Sequence, residues 1–251
     1  MYTRNLNRGL FLTAVAAGLV LPVGLASAAL TPYSQNFESL VQADPNALGN
    51  DGWKIFANVF SPDHSTYLYG YGVFPAPNPG GGFSAIASGQ GGPAQGAQQL
   101  SVYSDYNNQS PAGHAVGNQI EVNVFQEQTI AVADVGSTWT FTFDAKLGNL
   151  VSPTTALAFI KTLDPNQGYL TTNFLTFDTT ALPTSWGTYS LQIPITTPLV
   201  GQLLQIGFSN TASNNVASGV FYDNINFAIP SPAALPVFAA GGLIALRRRR
   251  A

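Results

Sequence analysis

The sequence predicts an all-β fold, a two-layered sandwich, carried between two helical ends. Three observations predict it. Helical periodicity is nearly absent between residues 30 and 228. In its place stand short segments where apolar and polar residues alternate, the period of a half-buried strand. Clusters of Gly, Pro, Asn and Ser separate those segments, as turns do in sandwiches and jelly rolls.

The chain opens with Arg4 and Arg8, an apolar run over residues 10–25 and then Ala26-Ser27-Ala28. A basic start, a short apolar stretch and a small-residue close form a secretory signal, so residues 1–28 are expected to be a removed signal helix. Residues 29–228 form the predicted sandwich. Its first candidate strands are 33–40, 53–60 and 67–74. Residues 75–96 are rich in Gly and Pro and read as a long surface loop or a low-complexity insertion. Candidates at 97–103 and 119–131 follow.

The clearest strand is 138–144, where Trp139, Phe141 and Phe143 share one face and the threonines and Asp144 share the other. The remaining candidates are 156–161, 187–193, 203–209 and 219–227, which makes about ten short strands in all. Trp53, Trp139 and Trp186 read as core residues. The last segment, 229–251, holds Pro230-Ser231-Pro232, an apolar stretch over 233–246 and then Arg247 to Arg250. That stretch is short for a full membrane span of ~17–25 residues. Terminal arginines would hold it at the cytoplasmic side during export.

Charge narrows the partners. All six arginines lie in the two ends. Between residues 30 and 228 three lysines, Lys54, Lys146 and Lys161, oppose twelve acidic residues, a net charge of −9. Such a domain has no footprint for nucleic acid and little attraction to anionic lipid, so membrane contact is expected only through the terminal segments. The chain has no cysteine, which excludes disulfide frameworks and thiol catalysis.

Two clusters suit sugar recognition, which pairs flat rings with amides and hydroxyls. If 67–74 is a strand, Tyr67, Tyr69 and Tyr71 share a face, and glycines leave the opposite face thin. Tyr103 and Tyr106, followed by Asn107, Asn108 and Gln109, form the second cluster. The same rings also suit the packed edge of a sandwich. Catalytic signatures are lacking: there is no H-E-x-x-H and no G-x-S-x-G. Glu121 and Glu127 share a face if 119–131 is one strand, but at ~3.3 Å per residue they stand about 20 Å apart. Glycoside hydrolysis needs its two carboxyl groups within roughly 5–9.5 Å.

The tail, with its prolines, apolar helix and arginine cluster, resembles the PEP-CTERM sorting signal of bacterial surface and exopolysaccharide-associated proteins. Ser231 stands where that signal has a glutamate. The resemblance implies processing near residues 230–232 by a peptidase of the exosortase type, after transient anchoring in the membrane, and delivery to the cell surface or beyond.

The interior carries landmarks in a fixed order: Asn36-Phe37-Glu38, Gly52-Trp53, the strand at 136–146, Ser185-Trp186-Gly187, and Phe221-Tyr222-Asp223-Asn224-Ile225. This order resembles the jelly-roll carbohydrate-binding modules of xylanases and glucanases, in the galactose-binding-like superfamily. The resemblance implies a structural Ca2+ tying the first strand to the last, with Glu38 and Asp223 as side-chain ligands. Asn224 replaces the second acid of the last-strand motif. The expected function is that of an exported, non-catalytic surface or matrix protein contacting extracellular polysaccharide. A purely structural surface or biofilm protein is the alternative, followed by a polysaccharide-degrading enzyme.

Overall fold

A computed structural model describes residues 29–78, 83–104, 115, 117–212 and 219–230. The predicted signal helix and sorting helix lie outside the described residues, as does Tyr106 with its amide neighbours. The chain folds into β1 (Tyr33–Gln35), the single helical turn α1 (Ala47–Asn50), β2 (Lys54–Phe60), β3 (Tyr67–Pro75), β4 (Ser84–Ser88) and β5 (Gln98–Tyr103). Then come β6 (Gln119–Thr129), β7 (Thr138–Leu147), β8 (Thr155–Asp164), β9 (Leu170–Asp178), β10 (Gly187–Pro194), β11 (Leu203–Ala212) and β12 (Gly219–Ala228).

The strands pair antiparallel in two sheets. One runs β3-β2-β6-β11-β8-β9. The other runs β10-β7-β12-β5-β4, with β1 also paired to β12. From β6 onward the chain repeatedly crosses between the sheets, and this wraps the layers into a jelly-roll sandwich.

Alternation decides which side chains fill the space between the sheets. Trp139, Phe141 and Phe143 on β7 are buried on one face, as their spacing predicts. Facing them, Phe208 on β11 stacks on Tyr222 of β12 with ring centroids 3.6 Å apart. Trp53 stacks on the other side of this region, 6.3 Å from Phe208. The Tyr222 hydroxyl, fully buried, finds Thr179 Oγ1 at 2.9 Å, so the core keeps a phenol without an orphaned polar atom. Truncating any of these rings to Ala would cost about 3–5 kcal/mol.

Two strands lie where none is predicted. Residues 75–96 are not one loop: β4 sits inside them and turns Ser84 and Ile86 inward against β5. Asn78 prepares that turn. Its Nδ2 donates to the carbonyls of Gln42 and Asp44, and its Oδ1 accepts from Ile86 N–H. The edge strand β9 is rich in Thr and carries its apolar residues on a half-exposed alternation, so it offers little contrast to a turn.

Trp186 also departs from expectation. It is only half-buried, outside the core, where its Nε1 donates to the Gln90 carbonyl at 3.0 Å. Lys146 lies 5.3 Å from its ring centre. It pins the glycine-rich stretch 89–97 over the outer face of the β7-β12 sheet.

Candidate functional site

The outer face of the other sheet is open, and it holds a groove of about 700 Å³. The groove arises from the register. Side chains opposite each other across paired strands point to one face. Lys54 and Phe56 on β2, Asn123, Phe125 and Glu127 on β6, Gln205 on β11 and Lys161 on β8 fall on the face away from the core. Gly207 pairs with Phe125 on one side and Phe159 on the other. A Cβ on Gly207 would come within 2.2 Å of the Val124 carbonyl oxygen and 2.8 Å of the Phe125 Cβ. Glycine here lets the apolar floor lie close to the backbone.

Two tyrosines border the groove on opposite edges of the sheet: Tyr67 on β3 and Tyr169 in the β8–β9 turn, both exposed. Tyr169 follows Gly168, and both adopt left-handed backbone (φ 63° and 64°). Asp164 anchors the turn, its carboxylate accepting from Asn166 N–H and Gln167 Nε2. A left-handed non-glycine residue costs of order 1–3 kcal/mol and marks a position worth inspecting for function.

Polar groups in the groove are tied together. Lys54 Nζ meets Glu127 Oε1 at 2.9 Å, and Gln205 Nε2 donates to Glu127 Oε2 at 2.8 Å. Asn123 donates through Nδ2 to Glu121 Oε1 at 3.0 Å, and Asn58 does the same at 2.9 Å. Lys161 Nζ reaches Asn123 Oδ1 at 3.4 Å and sits 4.8 Å from the Phe159 ring centre and 5.0 Å from that of Phe174. Burial among these rings lowers the Lys161 pKa, and the Glu121 charge opposes that shift.

The predicted tyrosine platform does not assemble. Tyr67 pairs with Phe60, yet Tyr69 pairs with Val59, because a bulge at this point takes up one residue. The bulge reverses the alternation. Tyr67 therefore faces the groove, whereas Tyr69 and Tyr71 share the face of Val59 and Ala57, Tyr69 exposed at the sheet edge and Tyr71 half-buried. Tyr71 packs against the core and lies 6.1 Å from the Phe83 ring. The glycines opposite do not leave that face thin, because Phe56 fills the space. A Cβ on Gly70 would fall 2.6 Å from Phe56 Cζ and 2.8 Å from the Tyr67 hydroxyl.

Tyr103 belongs to the second sheet, where its hydroxyl donates to the Ser84 carbonyl at 3.3 Å, and it contributes nothing to the groove. Sequence reading missed Phe56, Lys161 and Tyr169. Lys161 left one signal: it is a lysine within an otherwise apolar strand, in a domain with only three.

Glu121 and Glu127 lie on one face of β6, six residues apart, each held by separate partners. That spacing of ~20 Å does not suit a cooperating pair.

Glu38 and Asp223 come together at the other sheet. Glu38 Oε1 accepts the N–H groups of Ala97 at 2.8 Å and Gln98 at 2.7 Å, holding β5 beside the start of the domain. Asp223 is fully buried. Its Oδ1 takes Asn224 N–H at 2.6 Å, while its Oδ2 has no hydrogen-bond partner. Burial, with the charges of Asp144 and Glu38, pushes the Asp223 carboxyl up from 3.8 to about 7.

Asp144, opposite Asp223, is fully engaged by Gln95 Nε2, Thr188 Oγ1 and Asn224 Nδ2. Asn224 thus has a reason to be an amide, since a second acid there could not donate to Asp144. The carboxylates of Glu38 and Asp223, the latter with its Oδ2 left without a partner, are hard oxygen donors of the kind calcium takes. Among the described residues no three His, Asp or Glu side chains converge to hold a metal, so backbone carbonyls and water would complete its shell.

Among the described residues no helix is long and apolar enough to cross a membrane. No protein-family model matches the chain, and no curated protein matches it. It is similar to solved structures at low identity. The enzymatically active domain of bacteriophage CBA120 tailspike protein 4 is 14% identical at a TM-score of 0.43, covering 76% of this chain and 21% of that one. The CBM22-1–GH10 modules of Clostridium thermocellum endo-1,4-β-D-xylanase 10B, complexed with xylohexaose, are 11% identical at a TM-score of 0.42, covering 82% and 29%. This chain thus spans less than a third of either. The C-terminal family 22 carbohydrate-binding module of the same xylanase is 15% identical at a TM-score of 0.39, covering 78% and 91%.

Proposed function

We propose that the protein is an exported, non-catalytic surface or matrix protein whose residues 29–228 bind polysaccharide in the open-face groove. The groove itself carries this reading. It is a cleft of about 700 Å³ with a ring at each rim, Tyr67 and Tyr169, and amides and charges between them. That volume lies within the ~300–1,000 Å³ usual for ligand sites. Rings at the rims supply faces for sugar rings, and the Gln205 amide supplies hydrogen bonds for hydroxyls. Affinity electrophoresis of the protein through gels containing matrix polysaccharides tests it. Retardation that falls in Tyr169→Ala and Tyr67→Ala is the expected result. Migration indifferent to every polysaccharide would reject the reading in favour of a purely structural role.

In this reading the signal at residues 1–28 exports the chain. The segment 229–251 anchors it transiently until an exosortase-type peptidase cuts near residues 230–232. Mass spectrometry of the secreted form would find termini near residues 29 and 230. A structural Ca2+ between Glu38 and Asp223 belongs to the same proposal, supported by the orphaned Asp223 Oδ2. It would clamp the first strand region to the last strand.

A further inference from the structure

The distribution of charge over the domain is lopsided in one place. Two of the three lysines between residues 30 and 228, Lys54 and Lys161, line the groove, and among the described residues Glu127 is the one acid that does so. Glu127 is already engaged by Lys54 and Gln205. The groove lining therefore carries one surplus positive charge inside a domain of net −9, and that charge is the Lys161 ammonium.

We infer that Lys161 makes the groove a receptor for an acidic polysaccharide, seating the carboxylate of a hexuronate unit. This rests on the polysaccharide-binding reading above and names its ligand class. Lys161 has no carboxylate within ion-pair distance among the described residues. Among the described residues its one hydrogen-bond acceptor is the Asn123 Oδ1, at a long 3.4 Å. Asn123 is oriented for this, because its Nδ2 is committed to Glu121. The ammonium is set against the Phe159 and Phe174 rings, which strip water from it without neutralising it. A partly desolvated cation gains most from an anionic partner, since a charge-assisted hydrogen bond is about twice as strong as a neutral one.

The opposing charges are Glu121, tied to Asn58 and Asn123, and the Lys54–Glu127 pair, which cancels itself. The acidity of the rest of the domain acts weakly at this distance, because physiological salt screens exposed charges beyond about 8 Å.

The test compares the full chain on polygalacturonate, a carboxylated glycan, on neutral xylan and on dextran sulfate, at low and high ionic strength. Polygalacturonate should bind about tenfold tighter than xylan at low ionic strength, a gap of one charge-assisted contact. Lys161→Met, which keeps an apolar stem over Phe159 and Phe174, should close the gap. Lys161→Arg should keep it, and circular dichroism melts establish that both variants fold. Equal affinity for polygalacturonate and xylan, or a gap that survives in Lys161→Met, overturns the inference while leaving the glycan reading intact. Dextran sulfate binding as tightly as polygalacturonate overturns it in favour of generic polyanion contact. Binding to none of the three overturns both.

Discussion

Asp223 and Asp144 stand directly opposite each other across the β12–β7 pair, two carboxylates in register beneath the stretch 89–97. Like charges so placed are unfavourable, and the two acids resolve the conflict differently. Asp144 collects three side-chain donors, from Gln95, Thr188 and Asn224. Asp223 has an oxygen with no donor, and its pKa rises to about 7. Unfolded, the same acid would titrate near 3.8. Between these values the folded chain holds a proton that the unfolded chain has released. Stability of the calcium-free protein should therefore fall as pH rises from about 4 to about 7 and then level off. Scanning calorimetry in EDTA would record the fall. Added calcium should raise the melting temperature most at the upper end of this window, by binding the native carboxylate. Asp223→Asn, neutral throughout, should flatten the EDTA curve and abolish the calcium response. A wild-type melt indifferent to EDTA, calcium and pH would remove the metal site.

Polysaccharide retention should divide the tyrosines by sheet face. Tyr169→Ala and Tyr67→Ala should each weaken binding by about 1–2 kcal/mol, as truncating an anchoring aromatic at a binding surface does. Tyr103→Ala should leave retention unchanged, because its ring belongs to the other sheet. Isothermal titration with whichever glycan is retained would distinguish them. Tyr103→Ala weakening binding as much as Tyr169→Ala would move the site away from the groove.

Gly207→Ala is expected to destabilise the domain by about 1–3 kcal/mol, as overpacking does. The added methyl would meet the Val124 carbonyl oxygen at 2.2 Å, and backbone cannot step aside as a flexible side chain can. Urea unfolding monitored by tryptophan fluorescence would measure it. Stability equal to wild type would show that β6 and β11 can part at this point.

Tyr222→Phe retains the stack on Phe208 but leaves the buried Thr179 hydroxyl without its phenol partner. A loss of about 1–3 kcal/mol follows. Adding Thr179→Val removes the stranded hydroxyl and should recover most of that loss, so the double mutant lies above the single. Strict additivity of the two changes would mean that the bond contributes nothing.

Alternation by itself settled which face of β7 is buried, because Trp139, Phe141 and Phe143 keep a two-residue period without interruption. It settled the two-sheet class too, and the charge asymmetry of the chain is read directly from its letters. Periodicity failed at Tyr67, Tyr69 and Tyr71, since one bulged residue inverts every side chain beyond it and a bulge is a property of the pairing with β2, not of the strand's own sequence. The groove escaped the sequence for a related reason. Phe56, Asn123, Lys161 and Tyr169 come from four segments far apart in the chain, and only the strand order β2-β6-β11-β8-β9 sets them side by side. The neighbourhood of Glu38 and Asp223 was legible only as a resemblance. The tertiary fold alone decided that Asp223 would be buried opposite Asp144 with one oxygen left over, because burial and cross-strand register are fixed by the closed sandwich and by no local run of residues.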